Sequence, residues 1–171
     1  RDKAREAFQL ALDTIREREA DESDNPYYHK LYGALAYELN QPAAYRQGVM
    51  RAFEMDPDDP YVLADRAVYY RIIGNETLAE RDIRRAIELG PSETDAHAFY
   101  STLLSFVGRK SEAVREIQYM LKLNPAPLMA NQYAAWMYLQ VGQHAQAEAQ
   151  ARRTIGLFPG SLQPYFVLGW S

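Results

Sequence analysis

The chain has 171 residues, 47% hydrophobic and 25% charged, with a formal net charge of −4 and no cysteine. These proportions suit one water-exposed globular domain, and the missing cysteines exclude disulfides, thiolate metal sites and cysteine nucleophiles. Acids and bases are interleaved, without the basic stripe that phosphate neutralisation needs, and no apolar run approaches the roughly 18–20 residues of a membrane span.

In chain order, Arg1-Asp2-Lys3-Ala4-Arg5-Glu6 offers neither an initiator methionine nor the apolar core of a signal peptide, and reads as the start of a fragment of a longer protein. Ala4, Phe8, Ala11 and Leu12 have helical spacing, and this first helix is expected to run on through the charged residues 16–22. An acidic linker, Asp21-Glu22-Ser23-Asp24-Asn25, leads to Pro26. Four similar segments follow, 26–59, 60–93, 94–127 and 128–161, and 162–171 begins another with Tyr165, Leu168 and Gly169.

The segment 60–93 shows the physics of one unit. Asp58-Asp59-Pro60 is a helix start, an acidic cap followed by a proline whose missing N–H costs nothing there. A 3.6-residue apolar pattern covers 61–73, and Gly74-Asn75 breaks it, giving a helix exit and an asparagine cap for the next helix. Leu78, Ala79, Ile83, Ala86, Ile87 and Leu89 form a second apolar stripe, which stops at Gly90-Pro91. Each helix is marginal alone in water, so each must bury its stripe on a partner.

Four independent markers recur every 34 residues: Pro57, Pro91, Pro125 and Pro159; Gly33, Ala67, Ser101, Ala135 and Gly169; Gly74, Gly108 and Gly142; Ala79, Ala113 and Ala147. The small residues let paired helices approach closely, with Ile83, Ile117, Ala86, Ile87, Leu121 and Ile155 filling the space between. The expected count is ten helices: an orphan, four pairs and a final half-unit.

This pattern resembles the tetratricopeptide repeat (TPR): Trp-x2-Leu-Gly-x2-Tyr, then Ala-x3-Phe-x2-Ala, then Pro. The unit at Pro26 reads His29, Tyr32, Gly33, Ala36, then Tyr45, Val49, Ala52, Pro57. The unit at Pro60 reads Leu63, Arg66, Ala67, Tyr70, then Ala79, Ile83, Ala86, Pro91. Thr94 opens His97, Tyr100, Ser101, Leu104, then Ala113, Ile117, Met120, Pro125; Leu128 opens Asn131, Ala134, Ala135, Tyr138, then Ala147, Ala151, Thr154, Pro159. The first Trp is absent throughout, and Tyr45 stands where a small Ala is usual, which is expected to loosen the first unit. The resemblance implies an all-α fold, a right-handed α-solenoid of antiparallel helix pairs spanning 1–171 as a single domain. A solenoid needs polar end caps, and neither end has one, so Phe166, Val167, Leu168 and Trp170 are expected to be partly exposed and open to further chain or to self-association.

Catalytic signatures are missing. His29, His97 and His144 lack a second His or a carboxylate at metal-ligand spacing, and His29 and His97 occupy equivalent packing positions. No Gly-rich phosphate loop, Gly-x-Ser-x-Gly elbow or His-Glu-x-x-His occurs, and Asn75-Glu76-Thr77 reads as a helix cap, not a glycosylation site. No enzymatic activity, cofactor or metal is expected.

Within a first helix the fourth, seventh, eighth and eleventh positions share one side at 100° per residue, leaving the second, fifth, ninth, twelfth and thirteenth on the other. The resemblance makes this other face the lining of a concave groove for a peptide or protein segment. The candidate residues are Tyr27, Lys30, Tyr37, Tyr61, Arg71, Thr102, Phe106, Gln132, Trp136 and Gln140. Aromatic side chains are the usual anchors of interfaces. The carboxylate clamp of some TPR proteins needs Lys and Asn at the fifth and ninth positions; only Lys30 fits, and Ala34 stands where Asn is needed. The expected partner is therefore a protein or peptide, with no nucleic acid and no membrane bound by this chain. A sensory or regulatory TPR domain of a bacterial transcription factor or signalling protein is an alternative, and an RNA-binding helical repeat a more distant one. A cytoplasmic location is expected, or a periplasmic one within a membrane-anchored regulator.

Overall fold

A computed structural model describes residues 2–18, 24–125 and 128–170. Among them are ten α-helices and no strand: α1 (Asp2–Glu17), α2 (Pro26–Glu38), α3 (Pro42–Met55), α4 (Pro60–Ile72), α5 (Glu76–Leu89), α6 (Thr94–Phe106), α7 (Lys110–Leu123), α8 (Leu128–Gln140), α9 (His144–Leu157) and α10 (Gln163–Trp170). None of the described helices is long and apolar enough to cross a membrane.

Local chemistry fixes where these helices begin and end. Asn25 Oδ1 accepts from the Tyr27 N–H at 3.0 Å, and Asp59 Oδ1 from those of Tyr61 and Val62 at 2.7 and 3.2 Å. Asn75 Oδ1 accepts from the Leu78 N–H at 3.1 Å, as the asparagine cap requires. Between paired helices the chain reverses through a residue in the left-handed region: Asn40 at φ 55°, Gly74 at 75°, Gly108 at 81° and Gly142 at 80°. The following N–H reaches back five residues, from Gln41, Asn75, Arg109 and Gln143 to the carbonyls of Ala36, Tyr70, Leu104 and Tyr138, each at 2.8 Å. Asparagine tolerates the left-handed region better than other side chains, which is why Asn40 can stand in the glycine's place.

The chain forms two compact units, Arg1–Leu89 and Gly90–Ser171. In the first, α2 packs on α3, α4 on α5, α3 on α4, and α1 on α2. Leu12 is fully buried in one cluster with Tyr32, Leu35, Ala36, Leu39, Ala44, Tyr45 and Val49. Gln41 fastens α1 further, accepting from Arg16 Nη2 and donating to Gln9 Oε1, both at 3.2 Å. Helix α1 ends at Glu17, with Arg18 in a turn, and positions 19–22 of the expected extension lie outside the described residues.

Tyr45 does not loosen this unit. Its ring is buried between Tyr37 and Tyr69, with centroids 5.2 and 6.0 Å away, and its hydroxyl donates to the Asp65 carbonyl at 3.0 Å. Close helix approach is made instead at Gly33 and Gly48, where a Cβ on Gly48 would lie 2.7 Å from the Gly33 nitrogen.

In the second unit, α6 packs on α7, α8 on α9, α7 and α6 on α8, and α10 on α8 and α9. Ser101, Ala113, Ile117, Ala134, Ala135, Ala147, Ala151 and Thr154 are fully buried there. Val167 is buried on α10, contrary to the expected exposure, while Phe166 is exposed; the side chain of Trp170 lies outside the described residues.

A polar rung recurs on the second helices at Asp82, Glu116 and Gln150, 34 residues apart, with Asp82 and Gln150 buried and Glu116 half-buried. Asp82 accepts from Arg66 Nε at 2.6 Å, both side chains being almost fully buried, and the Arg66 guanidinium lies 3.2 Å from the Phe53 ring centroid. His97 Nδ1 meets Glu116 at 2.7 Å and its Nε2 meets the Pro91 carbonyl at 3.2 Å. Asn131 repeats that arrangement without charge, donating to the Pro125 carbonyl at 3.1 Å and accepting from Gln150 at 2.7 Å. The equivalent position in the first pair is Gly48. His97 thus has a carboxylate partner that spacing rules for metal ligands do not detect, and it satisfies a buried ring.

Candidate functional site

Among the ten candidates, those at the second, twelfth and thirteenth positions of the first helices stand in the open, except Arg71, a twelfth-position residue that is half-buried. On the first unit Tyr27 is 72% exposed, Tyr61 46% and Tyr37 47%. On the second, Phe106 is 65% exposed and Gln140 is exposed as well. Trp136, at the ninth position, is 40% exposed. Burial limits the fifth position: Ala64 is buried, and Gln132 is 8% exposed with its amide donating to Ser161 Oγ at 2.5 Å. Thr102 is half-buried, its hydroxyl held by the Ala98 carbonyl and by the Tyr133 hydroxyl. Gln132 and Thr102 therefore support the face more than they present themselves on it.

Lys30 is similarly engaged. Its Nζ lies 3.1 Å from Asp59 Oδ2 and 5.1 and 4.9 Å from the ring centroids of Tyr27 and Tyr61. Two tyrosine faces and a carboxylate thus bracket one ammonium. Asp59 caps α4 with one oxygen and neutralises Lys30 with the other. The pairing sets Tyr27 and Tyr61 against Lys30 and removes Lys30 as an unbalanced positive charge.

Two hollows adjoin these residues. In the first unit a cavity of about 380 Å³ is lined by Ala36, Tyr37, Pro42, Tyr45 and Ile72, with Glu38, Asn40 and Gln41 as its polar residues. Burial pushes the Tyr45 hydroxyl well above its ordinary value, the Asp65 carboxylate and Tyr37 add to this, and the nearby Arg71 guanidinium opposes it. In the second unit a cavity of about 350 Å³ is lined by Trp136, Leu139, Gln140, Gln163, Phe166 and Val167, none of them charged. The hollows show what helical geometry alone misses: Tyr45 and Phe166 join the candidate face through packing, beside Ile72. Ile72 was identifiable at a thirteenth position, and Phe166 as an exposed aromatic of the last half-unit.

Neither a family model nor a curated protein matches the sequence. Solved structures match the fold. A thermophilic TPR protein of Thermus thermophilus superposes with a TM-score of 0.83 at 15% identity, over 93% of this chain and 87% of that one. A tetratricopeptide repeat protein from Parabacteroides merdae gives 0.80 at 18% identity over 98% of this chain, which spans 65% of that protein's length. YrrB, described as a TPR protein with an unusual peptide-binding site, gives 0.64 at 14% identity over 98% of this chain and 86% of that one. The 34-residue repeat, the ten helices with their recurring left-handed turns, and these superpositions together show that the chain has the tetratricopeptide repeat fold.

Proposed function

We propose that this chain is a protein-interaction module that holds a peptide or protein segment against the exposed face of its first helices. The observation that carries the reading is the set of aromatic side chains left in water there: Tyr27, Tyr37 and Tyr61 on the first unit, Phe106 and Trp136 on the second. Large rings on a solvent face are costly to leave uncovered, and such residues dominate the energetics of interfaces. The two hollows beside them accept apolar side chains and give the face selectivity that a flat surface lacks. YrrB's description as a peptide-binding TPR protein supports this use of the fold.

The test is a selection of random dodecapeptides displayed on phage against the immobilised chain, with binders re-measured by fluorescence anisotropy. Enriched sequences should carry apolar or aromatic residues, and Tyr61→Ala or Trp136→Ala should each weaken at least one enriched class about tenfold or more. Arg84→Gln, on the exposed side of α5, should change nothing. No enrichment, or binding indifferent to both aromatic substitutions in folded variants, would remove the reading.

A further inference from the structure

The first unit already shows how this chain holds a cation. The Lys30 ammonium lies 3.1 Å from Asp59 Oδ2 and 5.1 and 4.9 Å from the ring centroids of Tyr27 and Tyr61. Tyr37 and Glu38, at the end of α2, put the same two kinds of group into the wall of the first unit's hollow. Glu38 is exposed, is the one charged residue of that lining, and forms no ion pair with any described residue. Arg16, which is bonded to Gln41 in the lining, has Asp13 at 3.6 Å, and Arg71 is not among the lining residues. At the Tyr45 hydroxyl the Asp65 carboxylate acts more strongly than the Arg71 guanidinium, so the field in this wall favours a cation. Formal charge points the same way: residues 1–89 carry 18 acids against 13 bases, and residues 90–171 carry 5 against 6.

From this arrangement we infer that the first unit reads a basic–apolar pair in its partner segment. A Lys or Arg side chain lays its apolar stem along Tyr37 and sets its charged head on Glu38, and a neighbouring apolar side chain enters the hollow over Tyr45 and Ile72. The inference rests on the peptide-binding reading above and adds the partner's chemistry to it. The hollow's volume of about 380 Å³ is ample for one leucine- or phenylalanine-sized side chain. The hollow of the second unit has no charged lining residue, and Gln140 stands there at the thirteenth position that Glu38 holds in α2. The preference for a base therefore belongs to the first unit.

The experiment uses the full chain and three pools of octapeptides, C-terminally amidated and labelled at the N-terminus with an uncharged dye, so that one side chain supplies the only charge. The pools are random among uncharged residues except for a central Leu-Lys, Leu-Gln or Leu-Glu. Anisotropy titrations at about 20 mM salt, where exposed charges are little screened, should show the Leu-Lys pool binding about threefold more tightly than Leu-Gln, and Leu-Glu most weakly. Glu38→Gln should erase the Lys-over-Gln preference, and Glu38→Lys should reverse the order in favour of Leu-Glu. Tyr37→Ala should weaken the Leu-Lys and Leu-Gln pools both. Circular dichroism establishes that each variant is folded. If the Leu-Lys and Leu-Gln pools bind the unaltered chain equally while Tyr37→Ala still weakens both, the face binds peptides but this inference is overturned. A Lys preference that survives Glu38→Gln, or binding indifferent to Tyr37→Ala, overturns it as well. If no pool binds, both the inference and the interaction reading fall.

Discussion

Asp82→Ala tests how the first unit is held together. Asp82 and Arg66 are only 2% and 8% exposed at their side chains, and Arg66 Nε lies 2.6 Å from the carboxylate. Arg81 also reaches Asp82, at 2.9 Å, but its side chain is 59% exposed and contributes little. Removing the carboxylate leaves a guanidinium buried against Phe53 with its charge unanswered, which costs about 3–5 kcal/mol. Asp82→Asn keeps the size and an acceptor but loses the charge, at a cost of about 1.5–3 kcal/mol. Replacing both partners, Arg66→Met with Asp82→Leu, should return to within about 1 kcal/mol of the unaltered chain or exceed it, because no stranded charge remains. Urea unfolding followed by far-ultraviolet circular dichroism measures these differences. Tryptophan fluorescence is recorded in parallel; both tryptophans lie at positions 136 and 170, so it reports on the second unit. An Asp82→Ala variant within 1 kcal/mol of the unaltered protein, or a double variant no better than the single one, would refute the reasoning.

Three further outcomes follow from the same structure. Replacing His97 by Asn together with Glu116 by Gln copies the neutral Asn131–Gln150 rung and should alter stability by less than about 1 kcal/mol, whereas Glu116→Ala alone should cost about 1–3 kcal/mol in the same urea assay. Gly108→Ala forces a side chain into a φ of 81° and should cost about 1–2 kcal/mol, with open space around it offering no compensating contact. Tyr45 is held neutral by burial, so the stability it contributes is fully present below the ordinary tyrosine value of about 10 and is lost as pH rises above it. Tyr45→Phe should remove part of that alkaline loss, seen in melting temperatures between pH 9 and about 11, while costing about 1 kcal/mol at neutral pH for the lost bond to Asp65.

Helices and turns were legible because they rest on local chemistry repeated at one period. Asn75 caps α5, and Gly74, Gly108 and Gly142 reverse the chain, for reasons contained within a few residues. Ala79, Ala113 and Ala147 are buried to 0% because every copy of the unit must bury the same stripe. Side-chain pairing across units was less legible. Gln132 meets Ser161, Thr102 meets Tyr133 and Lys30 meets Asp59, contacts 29 to 31 residues apart that no helical angle reveals. That Lys30 is a neutralised cation depends on the position of Asp59, 29 residues away, which the local sequence around Lys30 does not reveal. The polar rung at Asp82, Glu116 and Gln150 did follow the period, and was hidden because each copy uses a different residue type. Tyr45 shows the converse: an outsized residue stands at a small position while the helices make their close approach at Gly33 and Gly48.

The central claim is that ligand contacts fall on the exposed face of the first helices. Backbone amide chemical-shift mapping of the isotopically labelled chain, titrated with a peptide from the display selection, tests it most directly. The account predicts the largest perturbations in α2, α4, α6 and α8, centred on Tyr27, Tyr37, Tyr61, Arg71, Phe106 or Trp136, with α5, α7 and α9 largely unchanged. Perturbations concentrated on the exposed residues of those second helices, such as Arg84, Arg115 and Arg152, would contradict it.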